Sequence, residues 1–430
     1  MARRGTPRNA GSRKRRGTSS RSTRQGSSRA GRTTRSPEAA IEDLAATLVK
    51  GGDELITIED PLEAEVWAST VLGTFYKLDA PLEARSDLDR YLWPAVVRQA
   101  LARGDQAGRA VLETLAAMGD GSLAADARAA AAELAARDVP APAWSEHLGT
   151  AVFDDAWVIS DVYGDQEAYY ARFHHPGRPP HLINALYDRA LGDIIKDAFA
   201  GYMKTSPEVI LAEAREPGTA AATVDPGAMA RRVIDAIDSG DQFIDNHWAP
   251  DFRRYRALLL ARMRSLPADP PGEPAEPLDD DARDALISDF LVSAEGRLSE
   301  DADLIASYCL DYSVDYQGDD GLRWSPIVVE GFMLDFLPRK VSLTLPELDH
   351  LPADLREWVR FALARRGLAE EWIAETQAAV DEHTVAFRSA MTDANQFGPA
   401  KSIVNAMIAD GIDPLDEAAV DRWIQELNQG

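Results

Sequence analysis

The sequence predicts an α+β protein, predominantly helical, with helical bundles at both ends and a small three-stranded antiparallel sheet between them. Three observations carry this. Apolar residues recur at helical spacing through most of 38–140 and 281–430. Aromatic and β-branched residues come in short runs split by glycine turns between about 155 and 188. A proline-rich stretch with almost nothing to bury, SLPADPPGEPAEPLDD at 265–280, separates the halves. The chain therefore divides into an arm at 1–37, a helical subdomain at 38–140, a sheet with helices at 141–264, the linker, and a C-terminal helical subdomain at 281–430.

Each element has a local reason. Ile41, Leu44, Ala45 and Leu48 share one helical face that Gly51 and Gly52 end. Asp60 and Pro61 then read as cap and first position of a helix through Leu62, Val66, Trp67 and Phe75. Further helical patterns run from about Asp87 to Arg103, with Pro94 restarting or kinking the element, from Gln106 to Met118, and through SLAADARAAAAELAARD. Gly164-Asp165 and Pro176-Gly177 split the sheet region into three strands. Helix is expected again at LGDIIKDAFAGYM, a loop at REPGTAAATVDPG, and helices through Val233, Ile234 and Ile237 and through FRRYRALLLARMR.

The C-terminal part is organised around WSPIVVEGFMLDFLPRKVSLTL. Ser325 caps, Pro326 fits the first turn, and Val328, Val329, Phe332, Met333, Phe336 and Leu337 make a broad apolar stripe. Pro338 is expected to end this helix and VSLTL to follow as a short strand. Helices are expected from Pro352, through Trp372 to Phe387, from Pro399, and after Asp416.

A chain of 430 residues with 45% hydrophobic and 27% charged residues is that of a globular protein. No apolar run is long enough to span a membrane, so a membrane partner is not expected. A single cysteine, Cys309, excludes an internal disulfide and suits a cytoplasmic location. The net charge of -25 conceals two opposed regions. Arg3, Arg4, Arg8, Arg13, Lys14, Arg15, Arg16, Arg21, Arg24, Arg29, Arg32 and Arg35 stand in a segment without one acid. Setting those twelve aside leaves 34 basic residues against 71 acidic ones, so residues 37–430 carry a formal charge of -37. Too poor in apolar side chains to offset the entropy of ordering, the arm reads as disordered.

The segments WVISDVYGDQ, LGDIIKDAFAG, LRWSPIVVEGFMLDFLPRKVSL and FGPAKSIVNAMIADGID resemble a family of uncharacterised proteins from high-GC actinobacteria. The likeness spans most of residues 40–427. It implies a bacterial cytoplasmic protein of this fold class, with no assigned reaction and no catalytic residues to carry over.

Four groups of residues bear on chemistry. The arm's cations would neutralise phosphates and release counterions, giving affinity that falls with salt; the plainer reading is a solvated tail or one folded back on its own acidic body. His174, His175 and His181 in FHHPGRPPH lie close enough in sequence for a transition metal, or share a polar turn by chance. Asp241, Asp245 and His247 in DQFIDNHW could ligate a divalent cation or act as acid and base, or be solvated helix-face residues. Asp311, Asp315, Asp319 and Asp320 lack the spacing of a calcium loop. Phosphate-loop, zinc-protease, nucleophile-elbow and paired-cysteine motifs are absent from the sequence, and no cofactor is expected. The expectation is a non-enzymatic protein that contacts DNA or RNA through the arm and recruits a protein partner through the acidic body. The alternatives are a metal-dependent hydrolase using these His and Asp residues and a scaffold with an idle tail.

Overall fold

The computed structural model describes residues 36–76, 82–203, 207–213, 217–242, 249–267, 269–270, 278–294, 296–412 and 416–427. The arm's twelve cations, from Arg3 to Arg35, and residues 268 and 271–277 of the proline-rich linker lie outside the described residues.

The N-terminal helices begin where their caps say they should. Ser36 accepts from the Ala39 N–H to open α1 (Pro37–Lys50), which α2 (Gly52–Leu55) follows. Asp60 accepts from the Leu62 N–H at the start of α3 (Pro61–Thr74). Pro94 neither restarts nor breaks α4 (Leu82–Arg103), which is continuous across it. Then come α5 (Gln106–Met118), capped by Asp105, and α6 (Gly121–Ala136). Leu55, Leu92, Val96, Leu112, Leu115 and Leu134 form the core, closed by Trp144 from a 3-10 turn (Ala143–His147), whose indole N–H donates to the Leu55 carbonyl at 3.0 Å.

The sheet has five strands instead of three. β1 (Val152–Asp161), β2 (Gln166–His174), β3 (Pro180–Asp188), β4 (Ile194–Tyr202) and β5 (Thr219–Thr223) are antiparallel in the order β4-β3-β2-β1-β5. β4 is the segment the sequence reads as helix. Tyr187 pairs with Ile195 and Leu186 with Asp197, so Lys196 is bulged out. That bulge places Ile195 and Ala198, three residues apart, on one buried face, which imitates a helical spacing. β5 is the segment read as a loop: TAAAT carries no apolar alternation, and all five residues are exposed along the edge of β1. In the chain, α7 (Pro207–Glu213) lies between β4 and β5, the two edges of the sheet.

One face of the sheet is covered by α3, α8 (Pro226–Gln242) and α9 (Pro250–Arg264), where Tyr169, Phe173, Ile183 and Tyr187 meet Val233, Ile237, Phe252 and Leu258. α3 and α9 lie very close. Ser69 donates to the Arg254 carbonyl at 2.7 Å and accepts from the Leu258 N–H at 3.1 Å. A Cβ on Gly73 would collide with the Arg253 carbonyl group. Gly73→Ala is therefore expected to destabilise the protein by about 1–3 kcal/mol through overpacking, read from urea unfolding; an unchanged midpoint would show that the helices separate freely.

The C-terminal part comprises α10 (Asp280–Ser293), α11 (Ala302–Leu310) continued by a π-helical turn (Asp311–Tyr316), α12 (Pro326–Gly331), a second π-helical turn (Phe332–Phe336) and α13 (Leu337–Lys340). α14 (Leu345–Arg365), α15 (Glu370–Ala390), a 3-10 turn (Ala394–Gln396), α16 (Pro399–Ala409) and α17 (Glu417–Leu427) complete it. Ser325 caps as expected, accepting from the Val328 N–H at 3.2 Å. Pro338 does not end the helix, which runs on to Lys340. The wider π turn just ahead of it gives slack to a residue that lacks an N–H and crowds the preceding carbonyl. VSLTL is no strand: Thr344 is the cap of α14, paired with Glu347 in a capping box, and the helix starts at Leu345 and passes through Pro352. The core holds Phe290, Trp324, Phe332, Leu355 and Trp358, and Cys309, whose thiol burial pushes well up. Lys401, buried, donates to the Pro338 carbonyl at 2.9 Å and caps the carbonyl end of α13.

The β1–β2 turn joins the two parts. Asp161 accepts from the backbone N–H groups of Tyr163, Gly164, Asp165 and Gln166, and Gly164 supplies the positive φ of 78° the tight turn needs. Tyr163 enters the C-terminal core and its hydroxyl meets Glu375 at 2.8 Å. Arg366 donates to the Tyr163 carbonyl at 2.9 Å. Arg323, 2% exposed, lies between Asp165 and Asp319, and Asp319 also holds Arg189 at 3.1 Å.

Candidate functional site

α3, the β2–β3 turn, the start of β3 and α9 bring four polar side chains into one closed cluster, Glu65, His175, His181 and Arg262, none more than 2% exposed. Glu65 stands on the inward face of α3 and Arg262 on that of α9, among Leu258, Leu259 and Met263. Their carboxylate and guanidinium meet side by side, Nη2 on Oε2 and Nη1 on Oε1 at 3.2 Å. Strand alternation decides the fate of the histidines. Phe173 and His181 are cross-strand partners facing the helices, so His174 points the other way, where it meets Asp154 at 2.8 Å. His175, past the end of β2, turns back inward to lie 3.3 Å from Glu65, and its ring stacks on His181 with centroids 5.2 Å apart. Arg262 directs Nε and Nη2 at His181 Nε2, each at 3.3 Å.

The electrostatics follow. Burial opposes the charge of Glu65, but Arg262 and the hydrogen bonds from His175 and Arg262 outweigh it and hold the carboxyl below its usual range. Burial, reinforced by Arg262 and then by His175, pushes the His181 imidazole down to about 3. Because Nε2 accepts from Arg262, the neutral ring carries its proton on Nδ1, which has no hydrogen-bond partner among the described residues, like Nδ1 of His175. The cluster is thus one fixed ion pair with an uncharged histidine wedged against it.

The metal candidates read from the sequence fare differently, and among the described residues no group of three or more His, Cys, Asp or Glu is arranged to hold a metal ion. His175 and His181 come together and His174 does not, while Arg262 puts its guanidinium beside both rings. Asp241 pairs with the Tyr76 hydroxyl and with Arg256; Asp245 and His247 lie outside the described residues. Asp311 and Asp315 turn to Arg283, whereas Asp319 turns inward to Arg323. Glu65 and Arg262 escape a reading by motif. Their one signal is a charge set inside an apolar helix stripe, as in LLLARMR.

The histidine makes stability depend on acidity. Between its ordinary value of 6.5 and about 3, the unfolded chain takes up a proton on His181 that the folded chain refuses, so stability falls as pH falls. The slope expected from one such group is about 1.4 kcal/mol per pH unit, and Glu65, ionised in the fold where the unfolded carboxyl protonates, adds to it with the same sign at lower pH. His181→Gln is expected to flatten the slope in urea unfolding between about pH 6 and 4, and an identical slope in the variant would remove His181 from the account.

A mostly helical α+β fold with a buried polar cluster between its sheet and its helices is the class these observations define. Comparison of the chain with protein-family models, curated proteins and solved structures found no match among them.

Proposed function

We propose that the protein is a charge-segregated tether: a cationic arm that grips DNA or RNA and a folded acidic body that carries a protein partner with it in the cytoplasm. The observation that carries this reading is the opposition between twelve cations without an acid in the first 36 residues and a formal charge of -37 over the rest. The body's own cations support it. Arg98, Arg137, Arg256, Arg283, Arg297, Arg339 and Arg356 are each held against a body carboxylate and so present little charge of their own to a polyanion. Phosphate contact then falls to the arm, with little sequence preference and no stacking, since the arm has no aromatic residue.

In an electrophoretic series with duplex DNA and single-stranded RNA at rising salt, the intact chain should bind with a steep salt dependence. A chain lacking residues 1–36 should lose at least about tenfold in affinity at low salt. Equal binding by the two chains rejects the tether.

A further inference from the structure

Between α5, the start of α6 and α9 lies a half-enclosed cavity of about 300 Å³, larger than the roughly 150 Å³ that admits a benzene ring. Its walls are part polar and part apolar, the apolar part supplied by half-buried alanines, Ala116, Ala124 and Ala261 among them, over the buried Met118 and Leu260. Its charged lining is Arg128, Arg262 and Arg264 against the single carboxylate of Asp120. Two other clefts have the opposite character. One has Glu59, Asp60 and Glu63 against Arg178, and the other has Asp284 and Asp303 with no cation in its lining.

The three guanidinium groups are in different states. Arg262 is committed to Glu65. Arg264 is paired with Asp120, but both side chains are half exposed, so water and an incoming anion compete for that contact. Arg128 donates to the Ala116 carbonyl at 3.2 Å and has no carboxylate partner among the described residues. A guanidinium without a carboxylate partner beside a partly apolar cavity, on a body that is otherwise strongly acidic, is an arrangement that can hold a carboxylate head while the alanine-lined part of the wall takes a short apolar tail. From this cavity we infer that the protein binds a small amphipathic carboxylate, its carboxylate on Arg128 and Arg264 and its short hydrocarbon body against Ala116, Ala124 and Ala261. The inference is independent of the tether, because none of these residues belongs to the arm.

The test is calorimetric titration of the full chain with hexanoate and with its uncharged isostere hexanamide. Hexanoate should bind saturably at one site and at least about tenfold more tightly than the amide, a factor within reach of one charge-assisted pairing. Arg128→Gln, at an exposed position, should abolish that preference, and Ala124→Leu, which fills the cavity, should weaken hexanoate by a similar factor. Absence of saturable binding overturns the inference, as does equal binding of acid and amide. A preference that survives Ala124→Leu places the carboxylate elsewhere, the arm included, and also overturns it.

Discussion

Glu65→Ala is expected to destabilise the fold by about 3–5 kcal/mol, because it strands the Arg262 guanidinium in a site closed to solvent, with no other carboxylate beside it among the described residues. The loss would exceed what a truncated glutamate contributes by packing. Breaking a buried pair is costly because one charge stays behind, so the second substitution is the informative one. Glu65→Ala combined with Arg262→Met should recover most of the loss, since replacing a whole buried pair by apolar groups of similar volume is close to neutral. Urea unfolding followed by tryptophan fluorescence measures both. A double variant no more stable than the single one would mean that the pair contributes something other than charge balance, such as the order of the β2–β3 turn.

Arg323→Leu is expected to cost about 3–5 kcal/mol, for the converse reason: two largely buried carboxylates, Asp165 and Asp319, lose the cation between them. Burial already pushes the Asp165 carboxyl up despite Ser325 and Arg323, so losing Arg323 should push it up further. The variant should also loosen the β1–β2 turn from the C-terminal helices. Protection of the Tyr163 and Gly164 amides against hydrogen exchange should therefore fall before that of the Leu355–Leu363 stretch of α14. Equal protection in the variant and the parent would show that Tyr163 and Arg366 hold the turn unaided.

The sequence told most where a segment is locally self-sufficient. Ser325, Asp60 and Asp416 cap helices because a short polar side chain ahead of an apolar stripe is a local instruction. The absence of any helix long and apolar enough to cross a membrane, among the described residues, was legible in the same way. It told least where partners are distant. β4 reads as a helix because the bulge at Lys196 shifts its side-chain parity, and β5 is a strand only because β1 lies beside it. Within the candidate cluster, the two histidines were legible as neighbours. The alternation that removes His174 became visible only once β2 had a register, and the Glu65–Arg262 pair joins residues of two helices far apart in the chain.

β5 covers only the second half of β1, from Trp157 to Asp161, so among the described residues the first half has no strand beside it along that margin. An open margin of this kind is where chains stack on one another into fibres. Here the strand is kinked at Phe153–Asp155 and carries Asp154 and Asp155 at the kink. Two copies docking there would have to pair across a bent ladder whose Asp154 and Asp155 are already engaged by His174 and Arg172. The kink thus works against self-association at the stretch of β1 that has no strand beside it among the described residues.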